Sequence, residues 1–146
     1  MCYFDTSFLT PLIREEKTSS RVARFTAGLP AGELAISQWT EVEVASLLAR
    51  HVRMGAIRSD EAREADALFE NIVRRSFVVL SPGGGDYSLA RRYLRNYETG
   101  LRAGDALHLA IAANHRAEAI YSLDKTMIKA GKILGLPVSI GIRINQ

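Results

Sequence analysis

The sequence predicts an α/β fold with a largely parallel central sheet covered by helices on both faces. Three observations carry that prediction. Short apolar runs alternate with helix-periodic segments almost from end to end, as strands joined by helical crossovers require. Leu34-Ala35-Ile36-Ser37, Phe77-Val78-Val79-Leu80 and Ala119-Ile120-Tyr121-Ser122-Leu123 have the composition of buried strands. The stretch Arg102 to Ala113 is almost entirely Ala, Leu and Ile apart from one carboxylate, Asp105, and one histidine, His108, and a helix apolar on nearly every face lies inside a domain. At 146 residues the chain is long enough for one proper core, so a single domain over residues 1–146 is expected.

Taken in order, Met1 to Phe4 reads as a strand that stops at Asp5-Thr6-Ser7. Phe8, Leu9, Leu12 and Ile13 then recur at helical spacing, with Pro11 placed in a first turn where its missing N–H is tolerated. Ser19 or Ser20 caps a second helix carrying Val22, Ala23 and Phe25, ended by Gly28 and Pro30. After the second strand, Leu34 to Ser37, a helix runs from about Gln38 to Val52 with Trp39, Val42, Leu47 and Leu48 toward the core. Ser59-Asp60-Glu61 opens a long amphipathic helix through Arg75, with Ala65, Leu68, Phe69 and Ile72 on one face. Phe77 to Leu80 is the third strand. Ser81 to Gly85 reads as a loop; Asp86 follows its glycines where a phosphate-cradling loop needs Gly-Lys-Ser/Thr, which excludes that reading. Tyr87 to Tyr97 is a basic helix, the Asp105 helix follows Thr99-Gly100, Ala119 to Leu123 is the fourth strand, Asp124 starts another helix, and Val138 to Ile142 is the last strand.

Burying the charge of Asp105 costs several kcal/mol unless it is compensated. The helix N-terminus offsets only about 0.3–1 kcal/mol, which leaves room for a shared metal ion. Ligands of open parallel sheets bind beyond the carboxyl ends of the strands, and that rule selects four of the sixteen acids. Asp5 follows the first strand, Glu43 follows the second inside its helix, Asp124 follows the fourth, and Asp105 heads the helix before the fourth. Oxygen ligands without His or Cys suit Mg²⁺ or Mn²⁺, and carboxylate metal sites of this kind serve in-line phosphodiester displacement. Each residue also has a plainer reading. Asp5 and Asp124 as helix caps would contribute about 1 kcal/mol each, Glu41 and Glu43 complement a helix dipole, Trp39 belongs in the core, and His108 is a hydrogen-bonded interior histidine rather than a ligand.

Tyr3-Phe4-Asp5-Thr6-Ser7, Ser37-Gln38-Trp39-Thr40-Glu41-Val42-Glu43, Gly104-Asp105-Ala106-Leu107-His108-Leu109-Ala110 and Ser122-Leu123-Asp124 resemble, in order and spacing, the four motif blocks of PIN-domain proteins, particularly VapC-type toxins. The resemblance covers essentially the whole chain. It implies a PIN-like α/β/α sandwich around a mainly parallel sheet and Mg²⁺- or Mn²⁺-dependent endoribonuclease activity. It further implies neutralisation by a cognate VapB-type antitoxin and a homodimer. Carried over by position, Asp5, Glu43, Asp105 and Asp124 fall on the acidic positions, with Thr6 and Ser122 on polar positions beside them. Successive alternate residues of a helix differ by about 200°, so Glu41 and Glu43 cannot both face one metal. The Thr40-x-x-Glu43 spacing favours Glu43.

The chain carries a net charge of +3, which suits an anionic partner without forming a polybasic tail. Arg91, Arg92, Arg95 and Arg102 precede the Asp105 helix and are the expected RNA-binding residues, with Arg50, Arg53 and Arg58 after the Glu43 helix as a second run. Phosphate contacts of this kind position a strand without reading its sequence. About half of these arginines are expected to be only a solvated helix face, while Tyr87, Tyr93 and Tyr97 are candidates for stacking on bases. A receiver-type phosphoacceptor domain would need an acidic pair after an early strand, yet Thr6 follows Asp5; a haloacid-dehalogenase-type phosphatase would need an acid where Ser7 stands. A non-catalytic PIN-like RNA-binding module would have lost acids that are all present here. The single cysteine, Cys2, permits no internal disulfide, no apolar run approaches the roughly 18 residues of a membrane span, and a cytoplasmic location is expected.

Overall fold

The computed structural model describes residues 1–143. Its elements are β1 (Cys2–Phe4), α1 (Thr6–Ile13), α2 (Ser19–Ala27), β2 (Leu34–Ser37), α3 (Gln38–Arg53), α4 (Ser59–Ser76), β3 (Val78–Leu80), α5 (Gly84–Arg95), a 3-10 turn (Tyr97–Thr99), α6 (Ala103–Asn114), β4 (Ala119–Tyr121), α7 (Lys125–Ile133) and β5 (Val138–Ser139). The strands form one sheet in the order β3-β2-β1-β4-β5, and every pair is parallel. β1 is central, with Tyr3 opposite Ala35 on one side and Ile120 on the other.

Successive residues of a strand point to opposite faces, and β1 divides its side chains accordingly. Cys2 and Phe4 enter a core built with Ile36 of β2 and with Phe8, Leu9, Val22, Val44 and Phe69, supplied by α1 to α4. Tyr3 enters a second core on the side of α5 to α7, with Ile120 of β4, Leu109 and Ile111 of α6 and Met127 of α7. The predicted α/β/α layering follows from this division. The expected internal helix is α6, in which Ala106 to Ala112 are buried without a break. Gly131 of α7 lets that helix settle on β5: a Cβ there would stand 2.2 Å from Val138 Cγ2.

Several local expectations are corrected. Helix α5 begins at Gly84, inside the stretch read as a loop, because the Asp86 carboxylate accepts from the Gly83 N–H at 2.9 Å and from Asn114 Nδ2 at 2.8 Å, anchoring the first turn. It ends at Arg95, not Tyr97. β5 stops at Ser139, short of Ile142. Pro11 is the sixth residue of α1, beyond the first turn; the Ser7 carbonyl that it cannot serve accepts from Thr10 Oγ1. In α3 the buried stripe is Thr40, Val44 and Leu48, at i, i+4 and i+8, while Val42 is 56% exposed. Leu68 likewise faces solvent and Val73 takes its place in the core. Among the described residues no helix is long and apolar enough to cross a membrane.

Candidate active site at the carboxyl end of the sheet

Asp5 leaves the central strand and caps α1, accepting from the Phe8 N–H at 3.1 Å. The cap reading of this residue therefore holds, but it does not account for its surroundings. Asp5 is 3% exposed and also accepts from Ser7 Oγ at 2.7 Å and Ser122 Oγ at 2.6 Å. Burial raises its pKa, and the charge of His108 together with these donors pulls in the opposite direction.

Ser122, at the end of β4, is the link between two of the selected acids. Its Oγ donates to Asp5 and accepts from the Asp124 N–H at 3.0 Å. Asp124 caps α7, accepting from the Thr126 N–H at 2.8 Å. Ser7, in the first turn of α1, adds a second tie to the segment that follows β4, since its Oγ accepts from the Leu123 N–H at 2.9 Å.

Glu43 enters from α3, half-buried, while Glu41 is exposed on the other side of that helix. Glu43 Oε1 accepts from Thr6 Oγ1 at 2.6 Å and makes a short hydrogen bond with His108 Nε2. Burial would raise the pKa of Glu43, but the hydrogen bond and charge of His108, helped by Thr6, outweigh it and leave the group below its usual value. His108 is 1% exposed, and its Nδ1 lies 2.7 Å from Tyr3 Oη, which is in turn 2.9 Å from Ser37 Oγ. The interior-histidine reading is met, although the partner was not legible from the sequence.

Asp105 sits half-buried in the first turn of α6. Its pKa is raised to about 6, first by burial and next by the charge of Asp124, with Asp5 and Glu43 adding to the rise and His108 opposing it. The four acids thus share one electrostatic field. Their donor set is all oxygen, which matches a hard divalent cation, and the repulsion felt by Asp105 is the kind that a cation relieves. They are not closed into a cage: among the described residues no three His, Cys, Asp or Glu side chains are grouped to hold a metal ion. α3 and α6 meet closely beside the acids, where Trp39 Nε1 donates to the Gly104 carbonyl at 3.2 Å. A Cβ on Gly104 would stand 2.9 Å from Glu43 Oε2 and 3.3 Å from Trp39 Cζ2.

The arginines divide differently from expectation. Arg50 and Arg53 line a hollow of about 260 Å³ that includes Thr6 and Glu43. Arg91 lines an apolar hollow of about 310 Å³ with Trp39, Tyr87, Gly104 and Leu107. Arg102 is exposed at the N-cap of α6, whereas Arg92 and Arg95 are exposed on α5 and line neither hollow. Tyr97 is 88% exposed and Tyr93 packs against the core under α5. Ser7, Tyr3 and the Glu43-facing side of His108 were missed by sequence reasoning. Only Ser7 had a visible signal, standing two residues after Asp5 in a capping turn.

Several solved structures share this architecture. VapC20 of Mycobacterium tuberculosis, described as a sarcin-ricin loop cleaving toxin, superposes with a TM-score of 0.73 at 21% identity, covering 90% of this chain and 95% of that one. VapBC2 of Rickettsia felis, solved bound to a DNA fragment from its promoter, gives 0.68 at 12% identity over 95% and 98%. VapBC-1 of nontypeable Haemophilus influenzae gives 0.65 at 17% identity over 97% and 98%. At these identities the likeness is one of fold. No curated protein matches the sequence significantly. The profile of the PIN domain, however, matches residues 2–133, spanning all four acids and every strand but the last, and the chain belongs to the PIN-domain family.

Proposed function

We propose that the protein is a metal-dependent endoribonuclease acting as the toxin of a VapBC-type toxin–antitoxin pair. The observation that supports this reading is the position of Asp5, Glu43, Asp105 and Asp124 at the carboxyl end of the sheet, where the pKa of Asp105, raised to about 6 first by burial, also feels the charges of the other three. These four residues would hold Mg²⁺ or Mn²⁺. When bound, the ion supplies an activated water and neutralises charge in the in-line displacement at phosphorus.

The rest of the chemistry falls to the chain itself. Ser7 and Ser122 orient the Asp5 carboxylate, and Thr6 orients that of Glu43. Arg50 and Arg53 offer guanidinium donors to phosphates of a strand entering the hollow over Glu43, and Arg91 and Arg102 offer them on the α6 side. RNA as substrate is supported by the resemblance of the motif blocks and by the cleaving toxin among the structural neighbours. A VapB-type antitoxin partner is supported by neighbours that are VapBC assemblies. Such a partner would place an Arg or Lys against the acids. A homodimeric toxin acting in the cytoplasm completes the reading.

The test is cleavage of single-stranded RNA by the purified protein with Mg²⁺ or Mn²⁺ and with EDTA, beside an Asp5→Asn variant. Cleavage that needs the metal and disappears in a folded Asp5→Asn protein is expected. Undiminished cleavage by that variant would refute the assignment.

A further inference from the structure

Glu43 is the longest and most flexible of the four acids, and only a half-buried one. A free glutamate in that position samples several rotamers, and fixing one costs side-chain entropy. Here Oε1 is taken by two donors from two other elements, Thr6 of α1 and His108 of α6. Nε2 of His108 faces a carboxylate oxygen and therefore carries the hydrogen of that bond. The ring is fixed from behind, because Nδ1 meets Tyr3 Oη, Tyr3 is fully buried in the central strand, and its hydroxyl meets Ser37 Oγ at the end of β2. The two rings also pack at 5.7 Å between centroids. A chain of contacts thus runs from the middle of the sheet to one oxygen of Glu43. The second oxygen, Oε2, is left toward Gly104, the residue before Asp105.

His108 thus does more than fill the core, because its Nε2 bonds a half-buried carboxylate assigned above to the proposed metal site. The geometry points to Tyr3 and His108 as positioning residues that set the Glu43 carboxylate for a divalent cation, an inference that rests on the metal-nuclease reading above. His108 lies three residues after Asp105, so α6 presents one acid itself and steadies another. Partners that orient metal-binding side chains from behind are commonly worth about 10–100-fold in metal affinity.

The experiment is calorimetric titration of Mn²⁺ into the full chain and its variants, with folding checked by melting in EDTA. His108→Leu removes the donor to Glu43 and should weaken Mn²⁺ by about 10–100-fold, whereas His108→Gln keeps an N–H there and should restore most of the affinity. In a Glu43→Ala background, His108→Leu should change Mn²⁺ affinity no further, because the group it steadies is gone. A merely structural role would lower affinity in both backgrounds and would overturn the inference. Tyr3→Phe deletes one buried hydroxyl and keeps the ring. It should weaken Mn²⁺ several-fold in the same direction, so it decides the matter if His108→Leu does not fold, and unchanged affinity would count against the inference. Tight Mn²⁺ binding by wild type and His108→Leu alike overturns the positioning role alone. Failure of wild type to bind Mn²⁺ overturns the metal-site reading and the positioning role together.

Discussion

Replacing Asp105 by Asn should stabilise the metal-free protein, and the gain should depend on pH. The Asp105 pKa is raised from 3.8 to about 6, so in the folded protein it keeps its proton over a range in which the unfolded chain has lost it. Its contribution to stability is therefore fully present below about pH 4 and is lost as pH rises toward about 6. A rise of about two units corresponds to about 3 kcal/mol at 1.36 kcal/mol per unit. Asp105 is only half-buried, and solvent screening reduces that figure to about 1–2 kcal/mol. Asn gives up the attraction between a carboxylate and the start of α6, roughly 0.5 kcal/mol. The net expectation is that Asp105→Asn is more stable than wild type by about 1 kcal/mol at pH 7.5 in EDTA, or roughly 2–4 °C in Tm for a chain of this size. The difference should shrink to nothing or reverse at pH 4. Urea unfolding of both proteins between pH 4 and 8 with EDTA measures it. A variant less stable than wild type at pH 7.5, or a difference that does not change with pH, would refute the electrostatic account of the cluster.

Other outcomes follow from the same geometry. Glu43→Gln should reduce metal-dependent RNA cleavage by orders of magnitude while Glu41→Gln, on the exposed side of α3, has a small effect; initial-rate assays that gave the reverse order would contradict the placement. Gly104→Ala should leave Tm within a few degrees, because alanine favours a helix by about 0.5–1 kcal/mol over glycine. It should nonetheless cut Mn²⁺ affinity, since its Cβ meets Glu43 Oε2 at 2.9 Å, and unchanged calorimetric affinity would mean that Glu43 is free to move away. Binding of the VapB-type antitoxin proposed above should weaken as Mg²⁺ rises at constant ionic strength, because two ligands that exclude each other lower each other's affinity equally. Affinity that stays flat across that series would place the inhibitory contact elsewhere.

What the sequence made legible was whatever one strand or one helix decides locally. Alternation of apolar runs and helical periods implied a parallel sheet, and the unbroken apolar stretch after Asp105 implied an internal helix; both are present. The rule that sites lie at the carboxyl ends of strands singled out Asp5, Glu43, Asp105 and Asp124; the charges of the other three reach Asp105, but among the described residues no three of these side chains are grouped to hold a metal ion. Local chemistry misled where a single distant contact decides. The glycines before Asp86 join a helix because Asn114, 28 residues away, secures the Asp86 carboxylate. Val42 faces solvent because the inward stripe of α3 is Thr40, Val44 and Leu48, at i, i+4 and i+8. The grip of His108 on Glu43 had no sequence signal, since it joins residues 65 apart through an interior that periodicity describes only as apolar. Arg50 and Arg53 ranked behind the α5 arginines because a run of charges is visible in a sequence and the hollow that gathers two of them is not.

The measurement that bears most directly on the central claim is anomalous diffraction from crystals of the protein soaked in Mn²⁺. The account predicts a manganese peak coordinated by carboxylate oxygens from among Asp5, Glu43, Asp105 and Asp124, lost in crystals of Asp5→Asn. A manganese peak bound elsewhere, or a fully soaked crystal with none at the carboxyl end of the sheet, would contradict it.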